Sequence, residues 1–514
     1  MRKAAALLAR RAYDIQYRQL SNASLGYQHP AVQITTLPNK IRVATESTPG
    51  HFSSLGLYVD AGSRYENPST SGASHFLDRM AFKSTGSRSN AEMSTAMDAL
   101  GGQIMCSSSR ESIMYQSSHF HAATPLALSL ISDTVLNASF PPEEVDAQKD
   151  AARYEIREVS AKPDMILPEV VHDVAYGGKT LGNPLLCPEE RIDVIGESVL
   201  RGCMKDWYRP ERMVIAGAGM RHEELVELTD KYFSSLKSVP LVTPPPSISR
   251  QSSPSIPANL LPSSLPSLTK PLTRSASSYP LQIGSDSPSI YTGGQRHIFD
   301  ASQEFNHLYV AFEGVGIHDE DIFTLATMQV LLGGGGSFSA GGPGKGMYSR
   351  LYTNILNHFP QIDHCASFHH IYTDSSLFGL FASFVPYTSR HQGNTPAQIM
   401  PHLVHQLSLL LYEVVPKAEL SRAKNQLKSS LMMALESQAV EVEDLGRQIL
   451  VHNRRIPVTE MTDKIDQVTP ESVLRVAKRI FGPESGNKAT VVTMGRDDIG
   501  DWRGVLQKYG VAAA

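Results

Sequence analysis

The chain has 514 residues, 41% of them hydrophobic and 19% charged, and its 47 basic and 51 acidic side chains give a formal net charge of −4. This composition excludes collagen-like, wholly disordered and strongly basic nucleic-acid-binding proteins, so no nucleic-acid partner is expected, and the length favours two to four domains. There is no run of 18 apolar residues, and the four cysteines are too scattered for a disulfide framework or a Cys-x-x-Cys metal site, which predicts a reducing compartment.

Residues 1–24 differ in composition from the rest of the chain. They contain one acid, Asp14, and five basic side chains, Arg2, Lys3, Arg10, Arg11 and Arg18. A helix over these residues would have an apolar face formed by Leu8, Ala12 and Ile15. A basic amphipathic N-terminus is typical of a mitochondrial transit peptide, and a frayed basic tail is the alternative. Subtracting these five cations and one anion leaves 42 basic and 50 acidic side chains, so the remaining chain has a net charge of −8 and weakly favours cationic partners.

The first half of the chain, residues 35–239, predicts a layered domain of strands and helices. Residues 52–60 alternate in apolar character and predict a strand, and Ser-His-Phe-Leu-Asp-Arg-Met at 74–80 begins a helix. A long polar helix opens near residue 144, and residues 212–217 predict a closing strand. Strand hairpins with helices on one side are typical of the α+β class.

Residues 240–289 are dominated by proline and serine and predict a mobile linker, although an interaction motif within it is an alternative. Beyond it, residues 290–500 repeat the first half. Glu-Ser-Val-Leu-Arg at 197–201 recurs at 471–475, and residues 144–149 resemble residues 419–424. Predicted strands at 305–313 and 488–494 correspond to those at 52–60 and 212–217. The sequence therefore predicts two homologous α/β layered domains that arose by internal duplication.

A glycine-rich segment in the second half is the other distinctive feature. Eight of its fourteen residues are glycine, and the spacing fits neither a P-loop nor a Gly-x-Gly-x-x-Gly phosphate site. A chain without side chains leaves its backbone N–H and C=O groups free to pair with an extended peptide. We therefore predict a segment that can pair with an extended peptide, with an unstructured linker as the alternative. Its residues are Gly333, Gly334, Gly335, Gly336, Ser337, Phe338, Ser339, Ala340, Gly341, Gly342, Pro343, Gly344, Lys345 and Gly346.

The helix at 74–80, with its flanks at 60–66 and 82–85, resembles the inverted zinc-peptidase family M16. This family includes mitochondrial processing peptidase subunits, cytochrome bc1 core proteins and insulin-degrading enzyme. Active members carry His-x-x-Glu-His, in which two histidines bind zinc and the glutamate is the general base, and a later glutamate completes the ligands.

Carrying this pattern over places His75 at the first ligand, Asp78 at the general base, Arg79 at the second histidine and Glu155 at the last ligand. Arg79 cannot bind zinc, because its guanidinium has no lone pair and stays protonated. The resemblance therefore implies a degenerate motif with no catalytic residue and no metal in this chain. An ordinary ion-pair cluster, in which Arg79 pairs with Glu155, is favoured over a nonstandard metal site.

The glycine-rich segment resembles the corresponding loop of the α-subunits of this family's mitochondrial processing peptidases. That resemblance implies a noncatalytic subunit of the mitochondrial matrix that binds Arg-rich presequences and pairs with a zinc-bearing β-subunit as a metalloendopeptidase heterodimer. A core subunit of the cytochrome bc1 complex, inner-membrane complex III, is the alternative, and association with that complex is a further possible partnership. Acids near the segment are candidates for binding presequence arginines: Glu304, Glu313, Asp319, Glu320 and Asp321.

Overall fold

The computed structural model describes residues 32–48, 50–238, 287–336, 347–387 and 393–513. The predicted transit peptide, residues 1–24, lies outside this part of the chain. Of the predicted linker at 240–289, only residues 287–289 fall within it. No helix in the described ranges is long and apolar enough to cross a membrane.

Each half of the chain forms a six-stranded sheet. The first has the order β1-β2-β6-β3-β5-β4 and the second β7-β12-β8-β11-β10-β9. The strands of the first sheet are β1 Gln33–Thr36, β2 Arg42–Glu46, β3 Phe52–Val59, β4 Gln103–Ser108, β5 Ile113–Phe120 and β6 Met213–Ala218. Those of the second are β7 Gly294–Phe299, β8 Asn306–Val315, β9 Gly334–Gly336, β10 Ile362–Ile371, β11 Ser375–Phe384 and β12 Ala489–Gly495.

Helices of the first half are α1 Ala73–Arg79, α2 Asn90–Asp98, α3 Thr124–Leu136, α4 Pro142–Ser160, α5 Pro163–Tyr176, α6 Glu197–Trp207 and α7 His222–Phe233. Those of the second half are α8 Ile322–Leu332, α9 Pro396–Tyr412, α10 Lys417–Ala434, α11 Gln438–His452, α12 Val458–Asp466, α13 Pro470–Phe481 and α14 Trp502–Lys508. Short helical turns span Ser63–Tyr65, His121–Ala123, Thr180–Gly182, Glu189–Val194, Pro210–Arg212 and Tyr352–Leu356.

The duplication is visible in the strand pairing. Strands β2-β6-β3-β5-β4 and β7-β12-β8-β11-β10 both begin with a parallel pair and continue with antiparallel pairs. The sixth strands differ, because β1 extends the first sheet beside β2 whereas β9 extends the second beside β10. The α+β architecture with two related sheets is confirmed, and the four predicted strands are each observed within two residues of their expected ends.

Each half contributes one helix to the sheet of the other half. Val442, Leu445 and Ile449 of α11 pack on the first sheet against the buried ring of Tyr58. Gly446 allows this close approach, since a Cβ there would lie 2.2 Å from Tyr58 Cδ2. In return, α5 buries Leu167, Val171 and Val174 against the second sheet. The two halves are therefore interlocked, which the predicted boundaries 35–239 and 290–500 do not convey.

Ion pairs also join the halves at the turn between β10 and β11. Arg64 of the first half donates to both carboxylate oxygens of Asp374, at 2.7 and 2.6 Å. Arg64 also pairs with Glu111, whose carboxylate accepts the Thr373 N–H at 3.0 Å. Because a guanidinium and a carboxylate match in two parallel hydrogen bonds, this contact fixes orientation as well as distance.

Histidines on the second sheet predict that the protein loses stability in acid. Burial lowers the pKa of His369 to about 4, below its value of about 6.5 in an unfolded chain. The unfolded state therefore binds the proton first, and stability falls as the pH drops from 6.5 towards 4, by at most about 1.4 kcal/mol per pH unit for each such histidine. We expect the urea midpoint of unfolding to be lower at pH 5 than at pH 7. His369→Gln should reduce this dependence of the midpoint on pH. The exposed His358, changed to Gln, is the control, and equal slopes for both variants would contradict the assignment.

Candidate functional site

The helix that carries the metal motif begins where Glu66 binds its free backbone N–H groups. The Glu66 carboxylate accepts the N–H groups of Gly72 and Ser74, both at 2.8 Å, and the Ser74 hydroxyl. Gly72 has φ +89°, and a Cβ there would lie 2.3 Å from Cys187 Sγ, so this turn requires glycine. Burial raises the pKa of Glu66, while the hydrogen bonds it accepts act in the opposite direction. The start of α1 is thus fixed, and with it the position of His75.

Glu155 is the acceptor that joins the motif helix to α4. Its Oε2 lies 3.1 Å from His75 Nε2, and Arg79 Nη1 donates to the same oxygen. His75 and Arg79 lie one turn apart on α1, so both side chains reach the facing helix. The ion pair predicted between Arg79 and Glu155 is therefore present.

A hydrogen bond from Cys187 determines which nitrogen of His75 carries the proton. The Cys187 N–H donates to His75 Nδ1 at 3.2 Å, so a neutral ring must hold its proton on Nε2 and donate it to Glu155. Burial lowers the pKa of His75, and Glu155 acts in the opposite direction. The effect of burial is the larger one, so the ring is neutral near pH 7. Cys187 lies 112 residues from His75 in the chain, and no sequence pattern indicated this contact.

Asp78, at the general-base position, is bound to the neighbouring sheet. Its Oδ2 accepts the Ser108 N–H at 2.8 Å, which ties α1 to the end of β4. Burial raises the pKa of Asp78, and the hydrogen bond from Ser108 lowers it. Asp78 thus lies beside the ion-paired cluster and has a structural contact of its own.

These donors do not fit a zinc ion. A catalytic zinc needs three protein ligands with free lone pairs, but His75 presents a proton on Nε2 and Arg79 has no lone pair. Glu155 is already shared between them. Across the ranges that the structure describes, no group of three or more His, Cys, Asp or Glu side chains is placed to hold a metal.

A cavity of about 520 Å³ opens beside the cluster. Arg79 and Glu155 line one part of it, and the apolar side chains of Tyr154, Val159 and Met165 line another. Half of its eight lining residues are charged, Arg79, Glu155, Glu158 and Lys162, and Tyr154 and Met165 are exposed, so it is an open surface depression and not an apolar ligand pocket.

Part of the glycine-rich segment forms an edge strand of the second sheet. Gly334 and Gly336 pair with Ala366 and His364 of β10. Gly334 has φ +108°, and a Cβ there would lie 2.0 Å from Cys365 O, so the backbone path requires glycine. At Gly336 a Cβ would meet no atom closer than 3.9 Å. Residues 337–346, which complete the predicted segment, lie outside the described part of the chain.

The residues that follow the segment return to the same place. Ser349 Oγ accepts the Gly334 N–H at 3.0 Å. Arg350 then binds Glu419 of α10 through two hydrogen bonds, at 2.7 and 3.1 Å. Gly334, at the start of the segment, is thus in direct contact with Ser349, which follows it.

Two of the candidate acids near the segment already have partners. Asp319 and Asp321 pair with Arg479, and Asp321, only 2% exposed, also pairs with Arg475 of α13. The expectation that 319–321 bind a partner's arginines is therefore not favoured for these two residues. Glu313 accepts the Ser375 hydroxyl at 2.9 Å, and Glu304 and Glu320 are exposed.

Comparison with known proteins gives two matching family descriptions. "Insulinase (Peptidase family M16)" matches residues 42–189, and "Peptidase M16 inactive domain" matches residues 197–427. Among curated relatives, a mitochondrial-processing peptidase subunit alpha of Neurospora crassa is 44% identical over 88% of this chain and 84% of its own. A probable subunit alpha of Schizosaccharomyces pombe is 38% identical over 98% and 95%, and the Homo sapiens subunit is 33% identical over 89% and 81%.

Solved structures share the fold at much lower identity. A chain of complex III2 from Candida albicans matches with a TM-score of 0.72 and 18% identity over 93% of this chain and all of that one. A protease from Helicobacter pylori matches with a TM-score of 0.72 and 17% identity, over 91% of this chain and 100% of its own.

Glu155→Gln removes the charge that Arg79 and His75 share. Because both donors then face a neutral amide, we expect the free energy of unfolding to fall by about 1 kcal/mol, the size being limited by the partial exposure of the pair. Urea unfolding measures the change. Glu158→Gln, on the same helix but exposed, is the matched control, and equal destabilisation by both variants would refute the bridging role.

Arg79→His tests the donor set directly. The new imidazole would add a donor beside Glu155, but the Cys187 N–H still holds the proton of His75 on Nε2, so only two donors with free lone pairs are present. We therefore expect neither the variant nor the natural chain to retain zinc after dialysis, and zinc held by the variant would show that His75 can release that proton. Metal analysis of both purified proteins measures this. Stoichiometric zinc in the natural chain would contradict the assignment of the Nε2 proton.

Proposed function

This chain belongs to peptidase family M16, and from that premise we propose that it is the noncatalytic, substrate-binding α-subunit of a heterodimeric mitochondrial processing peptidase. It acts in the mitochondrial matrix, where it binds the Arg-rich presequences of imported precursors. A zinc-bearing β-subunit performs the cleavage. The observation that carries this proposal is Arg79, whose guanidinium is bonded to Glu155 at the position of a metal ligand.

Without a metal-activated water, the contribution of this chain to the reaction is binding and orientation. Strand β9 supports that role. It lies at the edge of its sheet and leaves one row of backbone N–H and C=O groups without a strand partner in the described ranges. Such an edge pairs with an extended peptide through main-chain hydrogen bonds, which are independent of sequence and therefore suit many different precursors.

A core structural subunit of the cytochrome bc1 complex is the second candidate. It rests on the fold shared with a chain of complex III, and a low-identity likeness of this kind carries the fold alone. The alpha subunits resemble this chain far more closely in sequence and favour the first candidate. Purification from mitochondria distinguishes the two, because a bc1 core subunit would co-purify with cytochrome b and c1.

Gly336→Val tests the role of β9. The added side chain enters open space, so the fold should tolerate it, but it would stand on the strand where a peptide is proposed to lie. With the candidate β-subunit co-expressed, we expect presequence cleavage to show a KM raised at least about fivefold, the effect of losing roughly 1 kcal/mol of binding. The melting temperature should remain unchanged.

Gly202→Val is the matched control. Gly202 is exposed on α6 in the first half, and a Cβ there meets nothing within 4 Å. Its cleavage kinetics should equal those of the natural protein. Unaltered kinetics for Gly336→Val would remove β9 from the proposed binding surface, and unaided cleavage by this chain alone would overturn the noncatalytic assignment.

A further inference from the structure

Aromatic and imidazole rings cover one face of the second sheet next to β9. We call the group His307, Tyr309, His364, Phe368 and Phe381 the ring surface. Phe381 is central, with its ring centroid 4.5 Å from that of Tyr309 and 5.4 Å from that of His364. Phe368 lies 5.6 Å from Tyr309, and the His307 ring stacks on Phe381 at 6.1 Å. The strand register explains the cluster, since Ala366 pairs with Phe381 and Phe381 with Tyr309 across three strands.

Helix α5 covers only part of this surface. It packs on β12, β8 and β7, where Tyr309 is buried, whereas His364, Phe368 and Phe381 remain partly exposed on β10 and β11. Beyond β10 the same face continues onto β9, where Gly334 and Gly336 contribute no side chain. The rings therefore border backbone that carries no side chain at Gly334 and Gly336.

Two carboxylates lie at one end of the ring surface. Asp363 lies at the same end of the sheet as His307, since His307 and His364 both pair with Ser383, and the helix that carries Asp164 packs on β8. Burial lowers the pKa of His307 to about 4, and the charges of Asp164 and Asp363 act in the opposite direction. Asp363 precedes His364 on β10, and Asp164 is in the first turn of α5. Neither forms an ion pair with another residue of the described ranges. His307 itself is 8% exposed, and its Nδ1 is buried without a hydrogen-bond partner.

We propose that the ring surface, together with Asp164 and Asp363, is a binding site for a basic amphipathic peptide. Apolar side chains of the peptide lie on Phe368 and Phe381, and an arginine lies between the two carboxylates. This inference rests on the proposed function and specifies where, on this chain, such a peptide is held.

The charges decide between a basic and an uncharged occupant. An apolar peptide would leave two carboxylates beside it with reduced access to water, whereas a guanidinium offers them five donors and also interacts favourably with neighbouring rings.

The test measures binding of two labelled synthetic peptides to the full chain by fluorescence anisotropy. One peptide carries arginines on one helical face and leucines on the other, and the second has every arginine replaced by glutamine. The double variant Asp164→Asn and Asp363→Asn should raise the Kd of the arginine peptide roughly fivefold to twentyfold, as expected for two partly exposed charge contacts. It should leave binding of the glutamine peptide unchanged.

Phe368→Leu tests the apolar contact separately from the charges. It should raise the Kd of both peptides by a similar factor. Glu227→Gln combined with Asp230→Asn removes two exposed carboxylates from α7, far from this sheet, and is the control for net charge. Thermal unfolding of each variant shows that the fold is retained.

An unchanged Kd for the arginine peptide in the Asp164 and Asp363 variant overturns the site. The site is also overturned if the Glu227 and Asp230 control raises the Kd of the arginine peptide equally. It is overturned as well if the Asp164 and Asp363 variant raises the Kd of the glutamine peptide. Those results would not contradict the proposed function, because presequence cleavage by the co-expressed complex tests that function separately.

Discussion

A protonated guanidinium occupies the place in this protein where a metal site would need a lone pair. Arg79 and His75 both donate to one oxygen of Glu155, and the Cys187 N–H turns the remaining nitrogen of His75 into an acceptor. Each of these contacts is compatible with the others only if the imidazole holds its proton on Nε2. The helix that would supply the ligands is consequently joined to α4 by hydrogen bonds and charge.

Outside the ion-paired cluster, the two sheets of the described ranges remain closely alike. Both sheets keep five strands in the same order, and the second adds β9 at the edge that the first leaves without a neighbour. That addition depends on glycine, because the φ of Gly334 and the nearness of Cys365 O exclude a side chain. The same lack of side chains leaves the backbone beside the ring surface bare at Gly334 and Gly336.

Interlocking of the halves explains why two similar domains act as one body. Helix α5 of the first half packs on the second sheet, and helix α11 of the second half packs on the first. Arg64 also donates hydrogen bonds to Asp374 in the turn between β10 and β11. Residues from separate halves therefore keep fixed positions relative to one another. For this reason the first-half helix α5, which carries Asp164, packs on β8, which carries His307, and the proposed peptide site draws on both halves.

Much of the fold was predictable from local patterns. Alternating apolar residues placed β3 and β8, closing strands were predicted at β6 and β12, and the repeated pentapeptide, which lies in α6 and α13, indicated the duplication. Local patterns were less reliable for burial. Leu200 is buried in α6, but in α13 its counterpart Leu474 is half-buried and Val473 is buried instead. The two helices also begin at different points of the repeat, α6 at Glu197 and α13 at Pro470, which Thr469 caps.

By itself the sequence determined that the position four residues after His75, where the family has its second histidine, holds Arg79. Arginine cannot bind zinc in any surroundings, because its guanidinium has no lone pair to offer. The sequence also determined the duplication and the freedom of the glycine-rich backbone. Only the tertiary structure decided what Arg79 binds, which nitrogen of His75 is protonated, and that Asp319 and Asp321 are held by Arg475 and Arg479. These outcomes depend on distances between groups that are 76 to 160 residues apart in the chain, and no local pattern encodes such distances.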